Sequence, residues 1–254
     1  MADQPDELAG TEQPFVAHLV ELRDRLVRAI IAVGVVFAIL SWQPGPAALY
    51  DLLARPLVAQ LPAGSHLIAT NVISPFLVPL KITLLLSFLV ALPVVLYQLW
   101  AFIAPGLYSH EKRLVLPLVV SSTLLFLGGV AFCYFFVFGR VFHFIQSFAP
   151  HSVSVAPDIE AYLGFVLTMF LAFGATFEVP IVVVVLARMG VVSVAKLREF
   201  RGYFVVIAFI ISAVITPPDM VSMLALAIPM CVLYEIGLWA AAVTTRKPAG
   251  QAQG

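Results

Sequence analysis

Residues 18–42 read HLVELRDRLVRAIIAVGVVFAILSW, a charged turn of helix followed at once by an uncharged run from Ala29 to Trp42. In a chain with only 11% charged residues, five ionisable groups fall within positions 18–26. Helical spacing puts His18, Glu21, Arg25 and Arg28 on one face and Leu19, Leu22 and Leu26 on another, so Glu21 is expected to pair with Arg25 and Asp24 with Arg28. The pattern is that of a membrane-spanning helix entered from a polar surface.

Composition extends this reading to the whole chain. Hydrophobic residues make up 62% of the 254 positions, and the mean hydropathy is +1.04, far above soluble domains at roughly 45–50% apolar. The expected fold is an all-α membrane protein of six transmembrane helices, about 20 residues each, with no room for a soluble domain. The formal net charge is zero, which gives no bulk attraction to nucleic acid. Cys133 and Cys231 lie in apolar runs without neighbours that resemble a ligand set, so they read as packing residues and no metal or other cofactor is expected. Asp3, Asp6, Glu7 and Glu12 precede the first basic residue, unlike a cleavable signal peptide, so the first span is expected to be retained. Residues 1–13 and 244–254 read as disordered tails around a single membrane domain, 14–243.

The spans are expected at about 26–42, 82–104, 114–138, 161–187, 202–215 and 220–243. Six spans place both termini on one side of the membrane. Only Arg55, Lys81 and Arg140 then lie opposite, leaving eleven of the fourteen Lys and Arg on the terminus side. The positive-inside rule makes that side cytoplasmic. The fifth span, Gly202 to Ile215, covers only ~21 Å against a hydrocarbon core of ~30 Å, so the bilayer is expected to thin there or a neighbouring protein to shield it. Thr216-Pro217-Pro218-Asp219 turns the chain back, with Asp219 placed to cap the sixth helix. Pro93, Pro117, Pro180 and Pro229 fall within the other spans, where each is expected to bend or break its helix and make the bundle concave. Residues 43–80 form a long connection with a short interfacial helix over 47–54.

Glu178, in Phe177-Glu178-Val179-Pro180, lies ten residues, or ~15 Å of helix, from the basic boundary at Arg188. A carboxyl group near mid-membrane must face a partner, water or a thinned bilayer, or else be neutral. It reads as a functional group, with a buried structural hydrogen bond as the alternative. Glu235 is balanced between those two readings, and Gln98 fits a simple interhelical hydrogen bond. The chain has no GxxxxGK[ST] loop, HExxH pair or GxSxG elbow. Ser121, Ser122 and Ser212 lack a histidine at matching depth, so an intramembrane serine protease is poorly supported and no enzyme is indicated. The absence of a strong internal repeat weighs against an inverted-repeat transporter. Glu21 and Glu111, the latter in Ser109-His110-Glu111-Lys112-Arg113, are two acids at one predicted depth; they can receive two guanidinium groups or simply be solvated surface charges.

Five ordered motifs, HLVELRDRL (18–26), SPFLVPL (74–80), LYQLWAFIAPGLYSHEKR (96–113), AFGATFEVPI (172–181) and TPPD (216–219), together resemble the TatC family, the receptor subunit of the twin-arginine protein translocase. The resemblance covers residues 14 to 240. It implies a concave, glove-like six-helix bundle with short fifth and sixth helices, sited in the bacterial inner membrane. It also implies binding of twin-arginine signal peptides of folded cargo at the cytoplasmic face. By resemblance, Glu21 and Glu111 receive the arginines, with Arg23 and Phe102 shaping the site. Glu178 matches the family's intramembrane glutamate, Pro56 a family proline in the first extracytoplasmic loop, and Asp219 an acid of the last hairpin. The fifth and sixth helices resemble the surface used by single-span TatB-like and TatA-like partners, in a complex that also self-associates and draws on the protonmotive force. The chain departs from the family where Ser222 is followed by Met223 rather than the frequent Gln, leaving Thr216 as the polar group at that end. A proton-coupled solute transporter built on Glu178 and a purely structural scaffold remain as alternatives.

Overall fold

The computed structural model describes residues 9–58, 67–103, 115–147, 157–216 and 219–245. Helix α1 spans Ala9–Trp42, and α2 is Pro46–Val58. Helix α3 covers Ser74–Ile103. The third membrane crossing is α4, Val115–Phe132, a π-helical turn at Cys133–Val137, and α5, Phe138–Ser147. The fourth is α6, Ile159–Phe177, and α7, Val179–Arg188. A short helix α8, Val194–Glu199, precedes the hairpin of α9, Arg201–Ile215, and α10, Met220–Thr244. Among the described residues the β-structure is one isolated parallel bridge, Ile68 to Asp158. Each of the six expected spans falls on one of these crossings, and the expected interfacial helix is α2.

Four expectations need correction. Helix α1 begins at Ala9, so residues 9–13, expected in the disordered tail, are helical; Ala9, Glu12 and Gln13 are adequate helix formers on the end of a long helix already nucleated. The sixth helix is not short: α10 has 25 residues, because the run from Met220 to Thr244 is apolar but for a few polar residues such as Glu235, which pairs with Arg201, and Pro229 lies inside it without breaking it. Pro93 likewise lies inside α3 without breaking it. Pro117 lies in the first described turn of α4, where helices tolerate the missing N–H. Only at Pro180 does a crossing break. The fifth helix is short as expected, with 15 residues, or ~22 Å.

Helix α6 occupies the centre, touching α3, α4 and α10, while α7 packs on α10 and α1 packs on α3. The largest fully buried side chains include Ile82 and Leu92 from α3, Leu163, Met169 and Phe173 from α6, and Phe138 from α5. A smaller cluster of Val183, Leu197, Tyr234 and Leu238 joins α7, α8 and α10. Close helix approach depends on glycines. A Cβ on Gly129 of α4 would stand 2.5 Å from the Phe173 carbonyl oxygen, and one on Gly237 of α10 would stand 2.9 Å from Pro180 Cα. Gly190, at φ +70, closes α7 in the left-handed conformation that side chains resist.

A polar clamp opposite the termini fixes the connection after α2. Asp158 caps α6 by accepting from Glu160 N at 2.8 Å and Ala161 N at 3.0 Å. Its other oxygen accepts from Thr70 Oγ1 at 2.7 Å and Thr70 N at 3.0 Å. Beside it, Glu160 accepts from Ser74 Oγ at 2.7 Å and pairs with Lys81 Nζ at 3.3 Å. Tyr162 adds a hydrogen bond to the Leu53 carbonyl at 2.9 Å, seating α2 on the bundle.

Two outcomes follow from this packing. Gly129→Ala lowers stability by about 1–3 kcal/mol through overpacking, seen as earlier thermal unfolding, whereas Gly128→Ala, whose added Cβ meets nothing within 4 Å, does not. Equal melting of the two variants refutes the close-approach account. The Asp158 carboxyl is held down to about 2, first by the Thr70 hydroxyl and then by backbone N–H groups. A carboxyl lowered in the fold stabilises above its unfolded value of ~3.9 and loses that contribution as pH falls through about 2. Amide protection at Ile68 and Ile159, corrected for intrinsic exchange, is therefore constant from pH 8 to pH 5; loss within that range contradicts the clamp.

Candidate functional site

On the terminus side, α1 presents its charged turn next to the end of α3. His18 stacks on Phe102 with ring centroids 4.3 Å apart, which fixes the α1 entry against α3. One turn on, Glu21 is half-exposed, its side chain 38% accessible, and Arg25 is more enclosed at 21%. Arg25 donates Nη2–H at 2.6 Å and Nε–H at 2.9 Å, both to Glu21 Oε1. The expected i,i+4 pair is therefore formed, and Oε2 takes no donor among the described residues. Asp24 does not pair with Arg28: it accepts from Arg23, at 2.8 Å from Nη2 and 3.0 Å from Nε, because the adjacent, exposed guanidinium folds over it. Glu111 lies outside the described residues; α3 ends at Ile103, eight residues before it in sequence.

The second polar region lies within the bundle at the break between α6 and α7. Glu178 ends one helix and starts the next. Its N–H donates to the Ala175 carbonyl at 3.1 Å, and its own carbonyl accepts from Ile181 and Val182 at 3.0 Å each. The backbone is satisfied while Pro180, lacking an N–H, sets the break. Both carboxyl oxygens are buried and have no hydrogen-bond partner among the described residues. The neighbouring Ser122 hydroxyl on α4 accepts from Trp100 Nε1 of α3 at 2.9 Å, which leaves its O–H to turn toward the Glu178 carboxyl. Gln98 Oε1 is also buried and accepts no hydrogen bond among the described residues. Glu235, by contrast, pairs with Arg201 at 2.6 Å across the α9–α10 hairpin and is structural.

At the far end of that hairpin, Asp219 caps α10 as expected, accepting from Ser222 N at 2.7 Å. Thr216 is buried, and its hydroxyl donates to the Ser212 carbonyl at 2.8 Å, so it faces inward rather than offering an outward polar group. Met220 is the outward side chain of this turn, with Met223 half-buried. Pro56 lies in the last turn of α2. Sequence reasoning missed the clamp of Thr70, Ser74, Lys81, Asp158 and Glu160. Its only local signal is Asp158 two residues before an acid at the start of an apolar run. Among the described residues no group of three or more His, Cys, Asp or Glu is placed to hold a metal ion.

These features have counterparts in known proteins. The family model described as TatC: Sec-independent protein translocase protein matches residues 17–229. The TatC protein of Halothiobacillus neapolitanus is 53% identical over 225 residues, 89% of this chain and 61% of that relative's length. The Escherichia coli K12 protein of the same description is 51% identical over 227 residues, covering 89% of this chain and 87% of the relative. The crystal structure of a twin arginine translocase receptor, TatC, superposes with a TM-score of 0.77 at 39% identity, over 90% of this chain and 100% of that one. Six apolar crossings, a glutamate at the break of the fourth and a capped last hairpin thus come with sequence identity along nearly the whole chain, and the protein belongs to the TatC family of Sec-independent protein translocase proteins as a multi-pass membrane protein.

Proposed function

We propose that this chain is the receptor subunit of a twin-arginine protein translocase, binding twin-arginine signal peptides of folded proteins at its cytoplasmic face. The observation that carries the reading is the asymmetry at Glu21: Arg25 occupies Oε1 with two donors and leaves Oε2 open. An incoming guanidinium can bond that oxygen without displacing Arg25, and the existing pair orients the carboxylate for it. Glu111, in the segment that leaves α3 beside Phe102, is the acceptor for the second arginine. Phe102, by stacking on His18, holds the turn that carries Glu21 against the end of α3, and Arg23, folded onto Asp24, keeps that acid from competing for the ligand. The termini and this face lie in the cytoplasm, as the excess of Lys and Arg on that side supports.

Glu178 acts after recognition, in passage driven by the protonmotive force, which its buried and unpartnered carboxyl supports. TatB-like and TatA-like single-span partners assemble along α9 and α10, where Met223 supplies a deformable contact in place of a polar one, and Asp219 and Pro56 hold the extracytoplasmic rim. Several receptor copies associate in the working complex. No nucleotide or cofactor enters this scheme.

Two results test it. Glu21→Ala and Glu111→Ala each weaken binding of a twin-arginine signal peptide by about tenfold or more, about 1.4 kcal/mol, in protein that inserts and melts like the parent; undiminished crosslinking of the peptide to both variants refutes the receptor site. Glu178→Gln leaves peptide affinity within about twofold while export slows, since a group this far from the cytoplasmic face makes no contact with the arginines. A collapse of affinity with export otherwise intact contradicts that assignment.

A further inference from the structure

On the side opposite the termini, an open groove of about 340 Å³ separates the third crossing from the sixth, walled by Phe132, Phe136 and Val141 on one side and Val221, Leu224 and Ile228 on the other. The walls are apolar, and at the outer end stands one cation, Arg140. Arg140 is exposed and spends one donor on its own helix, Nη1 to the Phe136 carbonyl at 3.1 Å. Among the described residues it has no acidic partner. Lys81, another cation on this side, is taken up by Glu160. The remaining donors of Arg140 are therefore available to an anion from outside the chain.

Depth selects the anion. Arg140 lies two residues beyond the span expected at 114–138, ~3 Å past its apolar run. That is the depth of the headgroup layer, which adds about 5–7 Å to each side of a ~30 Å hydrocarbon core. Phe132 and Ile228 lie deeper, in the hydrocarbon. The groove thus descends from headgroup depth into the acyl region, and the spacing of four residues between Phe132, Phe136 and Arg140 puts all three on its wall. A cation at phosphate depth above an apolar channel is complementary to one glycerophospholipid: phosphodiester on the guanidinium, acyl chain between the walls.

We infer that this groove holds a phospholipid of the leaflet on the α2 side, bound by Arg140 through its phosphate, as a wedge between the third and sixth crossings. The inference needs only the membrane setting and is independent of the signal-peptide reading; it takes the side of α10 that faces the third crossing and leaves α9 and the side of α10 next to it to partner helices. The test uses the full chain purified in mild detergent from membranes doped with a phospholipid carrying a photoreactive acyl chain. Retained lipid is counted by native mass spectrometry, and label is mapped by peptide. The parent retains the lipid and is labelled on the peptides of Phe132–Phe136 and Leu224–Ile228. Arg140→Gln reduces retention about tenfold, Arg140→Lys keeps most of it, and Ile228→Trp, which fills the groove from an exposed position, abolishes the label at these peptides while the protein melts as the parent does. Retention unchanged in Arg140→Gln and Ile228→Trp overturns the proposal. So does label mapped elsewhere, or a cysteine at Leu224 that crosslinks in native membranes to a second copy or another protein's helix instead of taking lipid label.

Discussion

Hydrocarbon supplies no hydrogen bonds, and that single constraint governs where this chain can interrupt its helices. Each interruption is closed from within. At the break in the fourth crossing, the Glu178 N–H and carbonyl stay in backbone hydrogen bonds while the helix axis is released at Pro180. In the π-helical turn, Phe138 N–H reaches back to the Cys133 carbonyl. Where helices start at the membrane surface, Asp158, Ser193 and Asp219 accept from the first free N–H groups. The six-crossing bundle is what remains when all other arrangements leave backbone polar groups in lipid.

The same constraint sorts the polar side chains. Glu235, Glu160, Lys81, Trp100 and Thr216 all find partners inside the molecule, and their roles are architectural. A smaller set is left open among the described residues: the Glu178 carboxyl, the second oxygen of Glu21, and the Arg140 guanidinium beyond its single internal bond. Of these only the Glu178 carboxyl is buried, where an unpartnered ionisable group is costly; Glu21 and Arg140 are accessible and free to take a ligand. The three lie at different depths, one at the surface where the termini emerge, one inside the bundle and one at the opposite headgroup layer. They suit three different occupants: a peptide cation, a group or water met during passage, and a lipid phosphate.

Much of this was legible in the sequence. Hydropathy placed the six crossings, the Pro-Pro-Asp turn announced the capped hairpin, and Glu178 stood out because its surroundings are apolar for a full helical turn on either side. The Glu21–Arg25 pair followed from spacing alone. The Asp158 clamp did not, because Thr70 and Asp158 are 88 residues apart and meet only after the bundle closes. Asp24 was misassigned because i,i+4 spacing says nothing of a neighbouring arginine free to fold over it. Helix α1 exceeded expectation because helix propagation carries past the end of the apolar signal that marks a span, while α10 follows its apolar run from Met220 to Thr244. Nor was the groove at Arg140 legible, because its walls come from residues 132–141 and 221–229, which meet only after the bundle closes.

The central claim is that Glu21 is held by Arg25 on one oxygen and open to a cation on the other. The most direct measurement is a double-mutant cycle between Glu21→Gln in the full chain, reconstituted in lipid nanodiscs, and replacement of each peptide arginine by glutamine, with affinity read for all combinations. The account predicts a coupling of about 1 kcal/mol or more between Glu21 and one arginine of the pair, and none between Glu21 and the other. Additive losses at both arginines, within about 0.3 kcal/mol, contradict it.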